Sequence, residues 1–173
     1  MEQVQGNRIG ARRATRCTVQ DTVEEESVDQ RIDYTQAAPG VFQAMLQLEQ
    51  QVRASGLEPS LLELVRLRAS QLNGCAYCVA MHHREARAAG EGEERLSMVV
   101  VWQESPLFSP RERAALAWTE SLTLLPRRGA PEALYQQVLA EFGEEGLASL
   151  TLAIVAINGW NRFGVGFALE PGR

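Results

Sequence analysis

From Ala37 onward the chain reads as a succession of apolar stripes at helical spacing, punctuated by Pro and Gly, with no convincing run of period-two alternation. Pro39 opens the first stripe, in which Val41, Met45, Leu48 and Val52 recur at i, i+4, i+7 and i+11 before Gly56. A second begins around Pro59, where the missing N–H suits a first helical turn, and carries Leu61, Leu64, Val65 and Leu72 to an Asn73-Gly74 break. A third starts at Cys75 and ends near Gly90, and a short fourth spans roughly Glu93 to Trp102. Ser109-Pro110-Arg111-Glu112 has the form of a capping box, Ser109 placed to cap and Glu112 to reach back, before Ala115, Leu116, Trp118 and Leu122. Pro131 opens a sixth helix, and Leu147 to about Trp160 makes a strongly apolar seventh. The pattern predicts an all-α, single-domain bundle of about seven helices over residues 30–173.

Residues 1–29 do not share this pattern. Arg8, Arg12, Arg13 and Arg16 come first, then Asp21, Glu24, Glu25, Glu26 and Asp29, with few large apolar side chains between them. Such a segment gains too little from burial to offset the entropy of ordering, so it is expected to be disordered or docked on a partner and dispensable for the fold. Glu2 and the acidic run argue against an amphipathic targeting peptide, and an apolar signal-peptide core is missing. The most apolar stretch, Leu147 to Leu169, is broken by Asn158, Asn161 and Arg162, which suits a buried helix better than a membrane span. A cytoplasmic protein with no membrane partner is the expectation.

Composition narrows the chemistry. At 45% hydrophobic and 23% charged, the 173 residues are globular in character and of single-domain size. All 17 basic residues are Arg, so the absence of Lys excludes P-loop nucleotide hydrolysis and Schiff-base catalysis. A net charge of −5 provides no diffuse positive field for nucleic acid.

Three cysteines in a reducing compartment do not form a disulfide scaffold, and Cys17 has no partner motif, but the spacing of the other two is informative. Cys75, Cys78 and His82 fall at i, i+3 and i+7, one stripe of a helix that begins at Cys75. Cysteines three apart at a helix start can form a disulfide with modest adjustment, and the unsatisfied N–H groups and positive dipole end of the first turn favour thiolate over thiol. Glu63, twelve residues before Cys75, lies on the preceding helix; folded back at Asn73-Gly74, it can face His82 and raise its basicity. These residues supply an acid, a base and a nucleophile. Physical reasoning does not rank the two cysteines, because Cys75 is nearer the helix terminus and Cys78 nearer His82.

Glu63, eleven residues, then Cys75-x-x-Cys78-x-x-x-His82 resembles the mark of the carboxymuconolactone decarboxylase family, in its AhpD-like alkylhydroperoxidase branch. The Asn73-Gly-Cys-Ala-Tyr-Cys78 lead, Trp102 through Pro110 before Arg111-Glu112, and Ile157-Asn158-Gly-Trp160-Asn161-Arg162 are similar to the family as well. The resemblance covers about Arg31 to Pro171. It implies an oligomeric all-α thiol peroxidase or disulfide reductase; by that likeness Cys78 attacks a hydroperoxide, Cys75 resolves, and His82 with Glu63 relays protons. It further implies regeneration by an external dithiol of lipoyl or thioredoxin type, with no cofactor and no metal.

Other readings stand beside this one: a lactone decarboxylase of the same family, which lacks the cysteine pair, or a redox-responsive oligomeric protein without turnover. Cys75 and Cys78 could be plain core residues, or half of a zinc site that His82 or His83 extends but no fourth ligand completes. His83, about 100° round the helix from His82, suits a surface or interface. Tyr77 and Met81 suit a pocket wall or a core. Asn158, Trp160 and Asn161 read as hydrogen-bonded packing that could also wall the site.

Overall fold

In a computed structural model, residues 29–171 are described; the extension expected over residues 1–29, Cys17 included, lies outside them apart from Asp29. Among the described residues the chain forms eight α-helices and a 3₁₀ segment, with no strand. They are α1 (Tyr34–Ala37), α2 (Pro39–Arg53), α3 (Pro59–Asn73), α4 (Ala76–Ala88), α5 (Glu93–Met98), the 3₁₀ segment Val99–Glu104, α6 (Pro110–Thr123), α7 (Leu125–Arg128) and α8 (Glu132–Gly166).

The all-α expectation holds, and the start and stop signals operate as the chemistry requires. Pro39, Pro59 and Pro110 occupy first helical positions of α2, α3 and α6. The Ser109 hydroxyl accepts from the Glu112 N–H while the Glu112 carboxylate accepts from the Ser109 N–H, completing the capping box. The fourth helix differs from the sequence reading, being α-helical only to Met98 and tightening into the 3₁₀ segment. The expected sixth and seventh helices are the two arms of α8, separated by a break at Gly143, whose φ 66°, ψ 178° is not helical and is essentially reserved for glycine.

Helix α3 lies at the centre of the bundle. Every residue from Leu61 to Ser70 is buried, including Glu63, Arg66 and Arg68, so a helix with charged residues on several faces is enclosed on all sides. One face packs Leu61, Leu62 and Val65 with Val52 of α2, Trp118 of α6, and Leu150 and Ile154 of α8. The opposite face packs Leu64 and Leu67 with Ala86 of α4, Leu96 of α5, Val99, Trp102 and Leu116. Val41, expected on the buried stripe of α2, is exposed, because α2 turns the neighbouring stripe of Phe42, Leu46, Glu49 and Arg53 toward a cavity instead.

One buried carboxylate braces the second core. Glu120 of α6 accepts from Arg68 Nε at 2.8 Å and Nη2 at 2.6 Å, from Trp102 Nε1 at 2.8 Å, and from Arg128 Nη1 at 2.6 Å. It thereby ties α6 to α3, to the 3₁₀ segment and to α7. No helix is long and apolar enough to cross a membrane among the described residues.

Candidate functional site

The site begins at the turn between α3 and α4. Gly74 takes the left-handed conformation, φ 66°, and caps α3 by donating its N–H to Gln71 and Ser70 carbonyls, so the chain reverses and α4 lies back along α3. Cys75 then occupies the N-cap of α4 with extended backbone, and its Sγ accepts the Cys78 N–H at 3.3 Å. Sulfur thus takes the place that a Ser or Asp oxygen fills at other helix starts. Cys75 and Cys78 are joined as a disulfide, with Cα atoms 5.3 Å apart, and are only 1% and 2% exposed.

The reversal brings α3 and α4 side chains together. Glu63 Oε2 meets His82 Nδ1 at 2.9 Å, both side chains buried. The other Glu63 oxygen is held by Arg66 Nη1, and Arg66 Nη2 reaches Glu49 on α2, so an ion-pair chain Glu49–Arg66–Glu63–His82 crosses the bundle. Glu85, three residues after His82, places Oε2 at 3.5 Å from the same Nδ1. Burial works against the imidazolium, yet the hydrogen bonds that Glu63 and Glu85 accept from it outweigh burial and raise the His82 pKa above its ordinary 6.5. His82 Nε2 is buried without a hydrogen-bond partner.

A cavity of about 220 Å³ lies beside this chain. Phe42, Leu46, Glu49 and Arg53 of α2 form one wall, and Tyr77, Cys78, Met81, His82 and Glu85 of α4 the other, with Tyr34 and Trp160 completing it. Tyr34 packs on Phe163 and Phe167 at ring-centroid distances of 4.9 and 5.4 Å, which makes this end of the cavity an aromatic cluster. Cys78 is the cysteine on the cavity wall; Cys75 packs behind it against α8.

All four predicted site residues, Glu63, Cys75, Cys78 and His82, therefore meet in one place. Tyr77 and Met81 are cavity residues. His83 is at the surface, with Nε2 at 3.2 Å from Glu93. The polar cluster of α8 divides by residue: Trp160 walls the cavity, whereas Asn158 and Asn161 accept from Asn73 Nδ2 at 3.0 and 2.8 Å and pin α8 to the end of α3. Cysteines bound to each other offer no free thiolates for zinc. Among the described residues the grouping of metal-ligand type is Glu63, His82 and Glu85, whose ligand atoms lie within 4.8 Å of one another, but the Arg66 guanidinium on Glu63 opposes a cation there.

Sequence reasoning passed over Arg66, Glu49, Glu85 and Gly164. Arg66 and Glu85 stand three residues after Glu63 and His82, a helical spacing that could have identified them. Gly164 carries no such signal.

These features define an all-α protein built round a buried Cys-x-x-Cys disulfide with a carboxylate-bound histidine beside it. The chain belongs to the carboxymuconolactone decarboxylase family, whose pattern residues 39–121 match. It is 38% identical over 138 residues to the uncharacterized protein YdfG of Bacillus subtilis, covering 80% of this chain and 94% of that one. A solved structure from Agrobacterium tumefaciens, of unknown function and provisionally assigned to antioxidant defence as AhpD, is 42% identical with a TM-score of 0.81, covering 83% of this chain and 99% of that one. An alkylhydroperoxidase AhpD core from Ralstonia eutropha, at 20% identity and a TM-score of 0.71 over 80% of this chain and 74% of that one, shares the fold. The fold is AhpD-like.

Proposed function

We propose that the protein is a thiol-dependent hydroperoxide reductase working in the cytoplasm through a Cys75/Cys78 dithiol–disulfide cycle. The observation that carries this reading is the pairing of the two cysteines with Cys78 on the wall of a cavity that also holds His82, itself bound to Glu63. The Cys78 thiolate attacks a peroxide oxygen: an S–O bond forms, the O–O bond breaks, and the departing alkoxide takes a proton from the His82 imidazolium, leaving Cys78 as sulfenic acid. The Cys75 thiol then attacks the Cys78 sulfur, forming S–S and expelling the oxygen as water. An external dithiol of lipoyl or thioredoxin type returns two electrons and two protons.

His82 and Glu63 serve as the proton relay, and the family likeness to AhpD proteins supports the peroxide substrate. The acidic, Lys-free chain speaks against a nucleic-acid partner. Self-association is part of the same reading. The test is steady-state consumption of an organic hydroperoxide with dihydrolipoamide as electron donor, wild type beside Cys78→Ser. Turnover by the wild type and none by the variant supports the reading. If the disulfide forms and opens but no peroxide is consumed, a redox-responsive oligomeric protein replaces it.

A further inference from the structure

In the reaction His82 returns its proton to the alkoxide, but the imidazole must also exchange protons with solvent between turnovers. On the Nδ1 side the first acceptor is closed on both sides: one Glu63 oxygen is on His82, the other on Arg66, and Arg66 is itself buried against Glu49. Glu63 orients and charges the imidazole, and its two engaged, buried oxygens give the proton it shares with His82 no direct contact with solvent. Glu85 differs in each respect. It lies on the same helix three residues on, its Oε2 is 3.5 Å from Nδ1, it stands on the cavity wall, and its side chain is 50% exposed.

We propose that Glu85 is the port through which His82 exchanges its proton with solvent, with Glu63 as the fixed carboxylate and Glu85 as the mobile one. The proposal rests on the peroxidase reading for its place in turnover, but the exchange itself takes place in the resting protein. During the cycle the Cys78 thiol gives its proton to Nε2, the Nδ1 proton passes to the Glu85 carboxylate, and water removes it. The reverse order supplies the proton that the departing alkoxide needs. Glu85 is the weaker base, since its hydrogen bond to His82 holds its carboxyl below the ordinary range, so the transfer is uphill and is drawn forward by loss of the proton to water. The charged groups that act on the imidazole are Glu63 and Arg66 of α3 and Glu85 of α4; Glu49 and Arg53 of α2 and the phenols of Tyr34 and Tyr77 line the same cavity. Of the carboxylates, Glu85 alone combines contact with Nδ1 and open access to water.

The test is hydrogen exchange at His82 Nδ1, followed by NMR on the oxidised protein, in wild type, Glu85→Gln and Glu85→Asp. Because Glu85 is exposed, neither substitution threatens folding. Glu85→Gln is expected to slow exchange by about tenfold or more, with partial recovery in Glu85→Asp. In turnover, small proton-carrying buffers such as imidazole should accelerate Glu85→Gln more than wild type. Unchanged exchange in Glu85→Gln overturns the proposal, as does a slowed variant that buffer does not rescue. If exchange depends on Glu85 but wild type consumes no peroxide, the port stands and the peroxidase reading falls.

Discussion

Gly164 of α8 lies directly against the sulfur of Cys75: a Cβ at position 164 would stand 2.6 Å from Cys75 Sγ and 3.1 Å from Cys78 Sγ. The backbone of α8 thus forms the back wall of the disulfide, a contact that only glycine permits.

Gly164→Ala should therefore penalise the disulfide more than the dithiol, in which each sulfur can turn away from the added methyl. Overpacking typically costs about 1–3 kcal/mol, which for a two-electron couple is roughly 20–65 mV toward easier reduction. A redox titration against glutathione checks the shift, and an unchanged potential would mean that α8 yields without strain.

Removing relay residues should separate chemistry from packing. His82→Ala is expected to slow peroxide reduction by about 10²- to 10⁴-fold, and Glu63→Gln by less, because the imidazole remains. Cys75→Ser should allow one turnover and trap Cys78 as sulfenic acid or mixed disulfide, detectable by mass spectrometry, whereas Cys78→Ser should not react. Reaction at Cys75 in the Cys78→Ser variant, with none in Cys75→Ser, would reverse the two roles.

Stability should depend on pH through His82. Its folded pKa lies above the ordinary 6.5, so its contribution is complete below that value and is lost as pH rises through the folded pKa. Tm of the oxidised protein should accordingly fall on the alkaline side of 6.5. Glu63→Gln removes the largest interaction raising the pKa, so this alkaline decline should flatten in the variant.

Glu120→Gln tests the buried brace. Burial alone would raise the Glu120 pKa, but donors from Trp102 and Arg68 outweigh it and hold the carboxyl below the ordinary range. Deleting the charge leaves the Arg68 guanidinium buried and uncompensated, a loss of about 3–5 kcal/mol for one partner of such a pair. Urea unfolding at neutral pH measures it; a change under 1 kcal/mol would assign the cluster the weight of a surface ion pair.

Self-association should appear in light scattering at micromolar concentration, where a 19.1 kDa species would contradict it. The apolar excess of α8 is mostly used within the chain, since Leu147, Leu150, Ile154 and Ile157 are buried. The exposed large apolar side chains include Met98, Val100 and Val101 on and beside the 3₁₀ segment, and Val155 and Val165 of α8.

What the sequence determined by itself is what depends on neighbours along the chain. Helical periodicity, Pro at first turns, the Ser109–Glu112 box and the Gly74 reversal follow from local chemistry, and so they were legible. The i, i+3, i+7 register of Cys75, Cys78 and His82 places them on one face wherever the helix lies, and the twelve-residue offset of Glu63 needed only one turn to close. Tertiary structure decided everything that required a third element. Periodicity identifies an apolar face but not which of two adjacent stripes meets the core, so Val41 was expected inside while Phe42 and Leu46 took the cavity. Arg66 became part of the site because α2 brought Glu49 to it across seventeen positions, and Glu120 became a brace because α3 carried Arg68 to it across fifty-two. Gly164, eighty-six residues after Cys78, owes its role to the packing of α8 against the start of α4, and no pattern of neighbours along the chain encodes that contact.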